Sequence, residues 1–597
     1  MWLLIYLNNH FIHTLENNVE SFQSLRGLYS WMQSYLETCK DSLKPCIFYL
    51  PVFPADHNIR RRRLLQRWIA EGYSRDTKSG TAEENGERLL SELVNLSIIQ
   101  QPAGKSLCRV NGFFHEYITS RPMEDNLVIA LEGHCKLNSR RVGRHLSVRR
   151  NWERDMNVFE STDFSRLRSF TVFDQWSPFF FSNPTNKKMK FVRVLDLEDT
   201  KGIKDDDLEH IGKLLPLLKF LSLRGCQEIT HLPNSLGALR QLQTLDVRDS
   251  SIVILPQPVI VMLRKLQYVR AGTKNPTWDE GGIMVTCQPQ TTELVEEVIE
   301  AAAAPVAATQ DAAKASMVQA QDATRTSTGA PRNMPDASLP TWLSKMCCMN
   351  NVGDDHIKGC VKVPFVIGSL TAIHTFGVIN VGPGKKILKE LNRLTQLKRL
   401  GVCCINVDNI HMFFYAITAL SHLESLTVRV QPVKNKGQNK NKQDHFFACL
   451  DDNTSPPPKA LKILKLHGRV RILSANWMKQ LGNLEKLDLE MIVLDQKEIN
   501  TLGALPNQKV LLRLCVRPIH ITELYVSARR RSHFIHLEAL EIDCTSELKV
   551  VFEEQTIEVW LKGSYTDEVK QNLQQQLAQH QCQPVLKLLQ PRASSSV

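Results

Sequence analysis

The residues best able to do chemistry are few, and each set falls short of a reaction. Gly104-Lys105-Ser106 imitates the end of a phosphate-binding loop, G-x-x-x-x-G-K-[ST], in which backbone N–H groups and a lysine hold phosphates. Position 99, where the first glycine belongs, is Ile, and the triplet falls in a turn between two short strands instead of between strand and helix. Gly382-Pro-Gly-Lys-Lys386 departs further from the pattern. Cys347, Cys348, His356 and Cys360 carry zinc-donor atoms, but their spacing follows no standard ligand pattern. Cys403 and Cys404 are neighbours in an apolar run, and alternation along a strand lets only one of them face inward. With no H-E-x-x-H pair and no nucleophile turn, the expectation is a protein that is not an enzyme and holds no metal.

Charge offers a second kind of chemistry. The chain of 597 residues carries a net charge of +12, which raises the prospect of nucleic acid or acidic partners. Much of that charge is local: Arg60 to Arg63 with Arg67, and Arg140, Arg141, Arg144, Arg149 and Arg150. An arginine row on one helix could lie along phosphates with salt-sensitive affinity, and the plainer reading is a solvated face. Fifteen cysteines without a framework point to reduced thiols in an intracellular protein. The apolar start, Met1 to Leu7, is too short for a signal peptide or a spanning helix, so no membrane association is expected.

The elements that must position these residues begin with helices. Residues 11 to 43 read as helical, with Leu25, Leu28, Tyr29, Met32 and Leu36 recurring at three and four. A short helix from Lys44 should stop by Pro54. Ile59 to Gly72 follows, with Ile59, Leu64, Trp68 and Ile69 inward, the arginines outward and Gly72 as terminator. A third helix covers Glu83 to Leu96, and Ile98–Gln100 with Leu107–Val110 makes a hairpin. Three helices and a two-stranded wing describe a winged-helix domain.

Beyond it one template repeats. Val192-x-x-Leu195-x-Leu197 returns around Leu221, Leu245 and Val269 at steps of 26, 24 and 24, the period of a leucine-rich repeat. Earlier units sit at Leu146 and Phe170. After a gap come Phe376, Leu400, Leu426, Leu464, Leu487, weakly Leu514, and Leu540, about thirteen units in all. Each supplies a strand that buries its apolar side only by stacking on neighbours. The template leucines point inward, and the residues between them line the concave wall: Asp196, Ser222, Asp246 and Arg270 beside Glu198, Arg224 and Arg248, with Phe220 and Tyr268 flanking. Aromatics and arginines on such a wall anchor protein partners, so Phe220, Arg224, Asp246, Arg248, Tyr268 and Arg270 are the candidate partner-binding residues.

Leu43-Lys-Pro-Cys-Ile-Phe-Tyr-Leu-Pro-Val-Phe-Pro54, with Asp56-His-Asn-Ile-Arg-Arg-Arg-Arg-Leu64 and Trp68-Ile-Ala-Glu-Gly-Tyr73, resembles the second ARC subdomain of plant nucleotide-binding leucine-rich-repeat immune receptors of the cereal type. Trp560-Leu-Lys-Gly-Ser-Tyr-Thr-Asp-Glu-Val569 resembles that family's terminus. The resemblance implies an α/β fold, a leucine-rich-repeat solenoid preceded by a winged-helix domain. It implies an innate immune receptor, or part of one, that recognises a pathogen effector or a host protein, or restrains another receptor, in the cytoplasm or nucleus. The family binds ADP or ATP and carries a Met-His-Asp motif after the wing. Here Asn111 and Gly112 stand where His and Asp belong, and too few residues precede Leu43 for the phosphate-binding domain, so no cofactor is expected. The runner-up is a basic winged-helix regulator binding nucleic acid, with repeats for protein partners. The expected domains are 1–40, a helical remnant; 41–125, winged helix; 140–272, first repeat block; 273–340, a disordered Ala/Thr/Gln-rich insertion; 341–560, second block; and 561–597, a C-terminal tail.

Overall fold

The computed structural model describes residues 19–272 apart from 102–105, 121–126, 136–141 and 183–188; 277–278 and 284–285; 360–430 apart from 383–384 and 407; and stretches between 448 and 589. The expected insertion, apart from two paired two-residue strands, and His356 with Cys347 and Cys348 lie outside the described residues.

The winged helix forms as its sequence pattern demands. Helix α1 (Val19–Thr38) is followed by α2 (Lys44–Tyr49), which Pro51 turns into a 3-10 turn over Leu50–Val52. Helix α3 (Arg61–Glu71) ends at Gly72, which takes φ 85° and donates to the carbonyls of Trp68 and Ile69. Helix α4 (Ala82–Asn95) starts in a capping box: the Thr81 side chain accepts from the Glu84 N–H, and Glu84 Oε2 accepts from the Thr81 N–H at 2.8 Å. The wing pairs β2 (Ile99–Gln100) with β3 (Leu107–Val110), and α5 (Gly112–Ser120) closes the domain. The hairpin gains a third member: β1 (Ile59–Arg60) pairs antiparallel with Leu107 and Cys108. Two residues are too short a run for periodicity to reveal.

The repeats build one parallel ladder, each strand pairing with the next in chain order. It runs through β4 (Val128–Leu131), β5 (His145–Val148), β6 (Ser169–Val172), β7 (Val194–Asp196), β8 (Phe220–Ser222), β9 (Thr244–Asp246) and β10 (Tyr268–Arg270). Then Val269 pairs directly with Phe376 of β11 (Thr375–Asn380), so the solenoid resumes across the insertion without losing a rung. It continues through β12 (Arg399–Ile405), β13 (Ser425–Val430), β14 (Ile463–Leu473), β15 (Lys486–Val493), β16 (Leu511–Pro518), β17 (Ala539–Cys544), β18 (Glu558–Gly563) and β19 (Val585–Leu589). The template residues Leu195, Leu221, Leu245, Val269, Leu400, Leu426 and Leu464 lie in one continuous buried core.

Both ends of the ladder extend past the expected boundaries. Strand β4 precedes residue 140, because Val128-Ile-Ala-Leu131 is too short to show the full template. The span 561–597 is not simply a tail: the helix Asp567–Ala578 buries Leu573 and Leu577, and β19 pairs with β18. Among the described residues no helix is long and apolar enough to cross a membrane.

Candidate functional site: the filled concave wall

Helix α3 carries two guanidinium groups one turn apart, Arg63 and Arg67. Both point away from the winged helix's own core, as the apolar pattern of Leu64 and Trp68 dictates, and yet neither meets solvent. Arg63 Nε donates to Asp196 Oδ2 at 2.7 Å, and Arg67 Nη1 donates to the same oxygen at 2.6 Å. Arg67 and Asp196 are both fully buried. Arg67 spends its other donors on Tyr49 Oη and Thr171 Oγ1, each at 2.7 Å. Both guanidinium groups lie over Phe53, their carbons 5.3 and 4.8 Å from its ring centroid, a cation–π geometry. Burial drives the Asp196 carboxyl up, but Arg63 and Arg67 outweigh it and hold the group below its ordinary range. The outward, solvated arginine face is therefore corrected for Arg63 and Arg67, which face the repeats, while Arg62 stays exposed.

The contact spreads over the wall rung by rung. On β5, Ser147 Oγ donates to the carbonyl of Val52 at 2.7 Å, and just past that strand Arg149 Nη2 donates to that of Pro51 at 2.6 Å. The proline-broken run thus offers free carbonyls that a regular helix would have used internally. Arg60 and Arg63 both reach Glu198 beyond β7. Ala70, Val194 and Phe220 form a small apolar cluster. Thr244 donates to Gln66 Oε1 at 2.8 Å on β9, and Gln66 also lies beside the Tyr268 hydroxyl. Farther along, Arg399 of β12 pairs with Glu83 of α4 at 2.6 Å.

This geometry corrects the expected open surface. Phe220, Arg224, Asp246, Tyr268 and Arg270 are buried, and Arg248 is mostly so, its guanidinium held by Asp246. Arg224 is bound to Asp249 across neighbouring rungs. The first block's wall is occupied by the chain's own winged helix. Asn111 and Gly112 start a helix: Asn111 Oδ1 accepts from the Phe113 N–H at 3.1 Å, its amide donates to the Ser97 carbonyl, and Gly112 opens α5.

One carboxylate in the interface was not singled out by the sequence. Glu71, the last residue of α3, is buried with both oxygens lacking a hydrogen-bond partner, and Nδ1 of the buried His145 stands 3.8 Å away. Burial raises the Glu71 pKa to about 7, against the pull of Arg193 and Arg168. Burial likewise pushes His145 well below its usual range, so it is the neutral imidazole that bonds Ser169 Oγ and Tyr73 Oη, each at 3.0 Å. Basic residues also gather at the edge of this interface: Arg144, Arg166, Arg168 and Arg193 line an open cavity of about 290 Å³ beside the starts of β5 to β7, and Arg193 Nη1 donates to the Glu71 carbonyl at 3.3 Å.

Family models match both parts of this architecture. The family "Leucine-rich repeat region" matches residues 166–283 and 338–584, and "Disease resistance protein Winged helix domain" matches residues 52–118. Disease resistance protein Pik-2 of Oryza sativa subsp. japonica is 26% identical over 475 residues, covering 78% of this chain and 40% of that protein. Disease resistance protein RGA4 of the same source is 32% identical over 261 residues, covering 42% of this chain and 25% of the relative. A solved Leptospira interrogans leucine-rich-repeat protein aligns at 13% identity and TM-score 0.34, covering 73% of this chain and 95% of that one. The chain spans about 40% of the length of the Pik-2 type of relative. With its winged helix seated on the repeats, the chain belongs to the leucine-rich-repeat family of plant disease resistance proteins.

Proposed function

We propose that the chain acts in plant innate immunity by binding, in the cytoplasm, a pathogen effector or a host protein. The observation that carries this reading is the division of the concave wall. The first block is filled by the winged helix through the buried Arg63, Arg67 and Asp196 contact, which leaves recognition to the second block. There the wall presents Thr427, Lys465, His467 and Glu490 partly open to solvent, with Asp488 between Lys465 and His467 at 3.3 and 3.8 Å. Charges spaced this way select a partner of complementary pattern and set its approach. Catalysis has no place in the reading, which asks only for a shaped surface and a docked module.

The nucleic-acid alternative loses its carrier, because Arg60, Arg63 and Arg67 are engaged with the repeats and cannot lie along phosphates. To test the favoured reading, the chain is cross-linked to its partners in infected leaf extract, and the captured proteins are identified by mass spectrometry. The double variant Lys465→Glu, Glu490→Lys should lose at least one specific partner that the wild type captures. Capture of an identical set by both proteins would sink the assignment to the second block.

A further inference from the structure

Three sulfurs meet where the chain returns from the insertion to the second block. Cys360, Cys403 and Cys404 are buried, and their Sγ atoms all lie within 4.8 Å of one another. Cys360 and Cys403 are joined as a disulfide, and Cys404 Sγ lies 3.4 Å from Cys403 Sγ. Two of the sequence expectations are corrected here. The thiols are not all reduced, and both members of the Cys403–Cys404 pair face the same cluster although strand neighbours normally alternate.

The reason is the backbone. Cys404 takes φ 65°, and the register between β12 and β13 shifts between Val402 and Ile405. The same place in other rungs also has positive φ, but there it is held by Asp174, Asp199, Gly225 or Asp249, residue types that tolerate the left-handed region. A cysteine costs more there, and its surroundings hold it in place. Asn409 Nδ2 donates to the Cys404 carbonyl at 3.0 Å. Gly382 leaves the room required, since a Cβ at that position would stand 2.9 Å from Cys404 Cβ. An unusual residue in a costly conformation, aimed at two further sulfurs, is a reason to ask what the three hold together.

We propose that in its reduced form this trio is a site for a soft, thiophilic metal ion, with monovalent copper the ion whose ligand preference fits three sulfurs. Among the described residues no fourth His, Cys, Asp or Glu joins the group, so a four-ligand structural zinc site is not completed by them. Reduction of the Cys360–Cys403 bond consumes two electrons and two protons, which a phosphine and water supply as the phosphine becomes its oxide. Binding then forms three metal–sulfur bonds and releases the three S–H protons to solution. The bound ion would tie the returning segment at Cys360 to β12, as the disulfide does in the oxidised form.

In the test, the full chain is reduced with a phosphine, freed of reductant under argon and titrated with Cu(I) against a chromogenic chelator. The wild type should hold one equivalent at least ten-fold more tightly than Cys404→Ser or Cys360→Ser, while Cys135→Ser, outside the cluster, behaves as wild type. Copper X-ray absorption on the wild type, which depends on no variant, should count three sulfur neighbours. Equal affinity in all four proteins, two-coordinate copper, or preferential uptake of zinc with four ligands would each overturn the proposal.

Discussion

The two halves of the concave wall are built on one template and do opposite things with charge. In the first block, charges are buried and matched against a separate domain: the fully buried Asp196 takes two guanidinium donors, and Phe220 and Tyr268 lie under α3. In the second block, past the Arg399–Glu83 contact, charges pair with neighbours across rungs, as Lys465 and Asp488 do with side chains 41% and 12% exposed. A shared repeat thus fixes where a side chain points but not what it meets. The partner is set by whichever module the chain folds back onto the wall.

That contrast can be broken most sharply by deleting one carboxylate from each half. Asp196→Ala leaves Arg63 and Arg67 buried without their anion and should cost about 3–5 kcal/mol, read as a lower denaturation midpoint with earlier proteolysis of the winged helix. Asp488→Ala in the second block should cost about 0–1 kcal/mol. Similar losses from both would erase the distinction.

The pH dependence comes next. The folded pKa of Glu71 is raised, so its contribution to stability is complete below the unfolded carboxyl value near 4.5 and is lost as pH rises through about 7. Between pH 5 and pH 8 the wild type should therefore lose stability on the order of 2–3 kcal/mol from this group. Glu71→Gln should flatten that slope in pH-dependent chemical denaturation, and an unchanged slope would remove Glu71 from the interface account. A smaller effect than that of Glu71 belongs to Glu83→Ala, which removes the contact between α4 and the partly exposed Arg399. It should cost about 1 kcal/mol and leave Asp196-dependent docking intact, as double-mutant additivity with Asp196→Ala would show.

Much of the architecture is legible in the residues themselves. The stepping of Leu195, Leu221, Leu245 and Val269 places strands because burial of a repeated apolar side has one economical solution, and Gly72 stops α3 because only it accepts that dihedral cheaply. What sequence pattern could not carry was pairing at long range. Arg67 and Asp196 are 129 positions apart, and each looks like an ordinary surface charge until two domains meet. For the same reason Phe220 and Tyr268 read as an open anchor surface: alternation shows that they leave the solenoid core, not that Ala70 and Gln66 cover them. A weak signal was present in Arg63 and Arg67, which share a helix face one turn apart while Asp196 and Glu198 share a wall. The terminal strands β4 and β19 escaped because a rung at an end needs a neighbour on one side only, and its template is correspondingly loose.

The central claim, that the chain's own winged helix fills the first block's wall, is open to hydroxyl-radical footprinting of the full chain. Phe220 and Tyr268, 2% and 3% exposed, should be oxidised far more slowly than Tyr415, which is 68% exposed, and the protection should vanish in Asp196→Ala. Oxidation of Phe220 and Tyr268 in the wild type at the rate of Tyr415 would contradict the account.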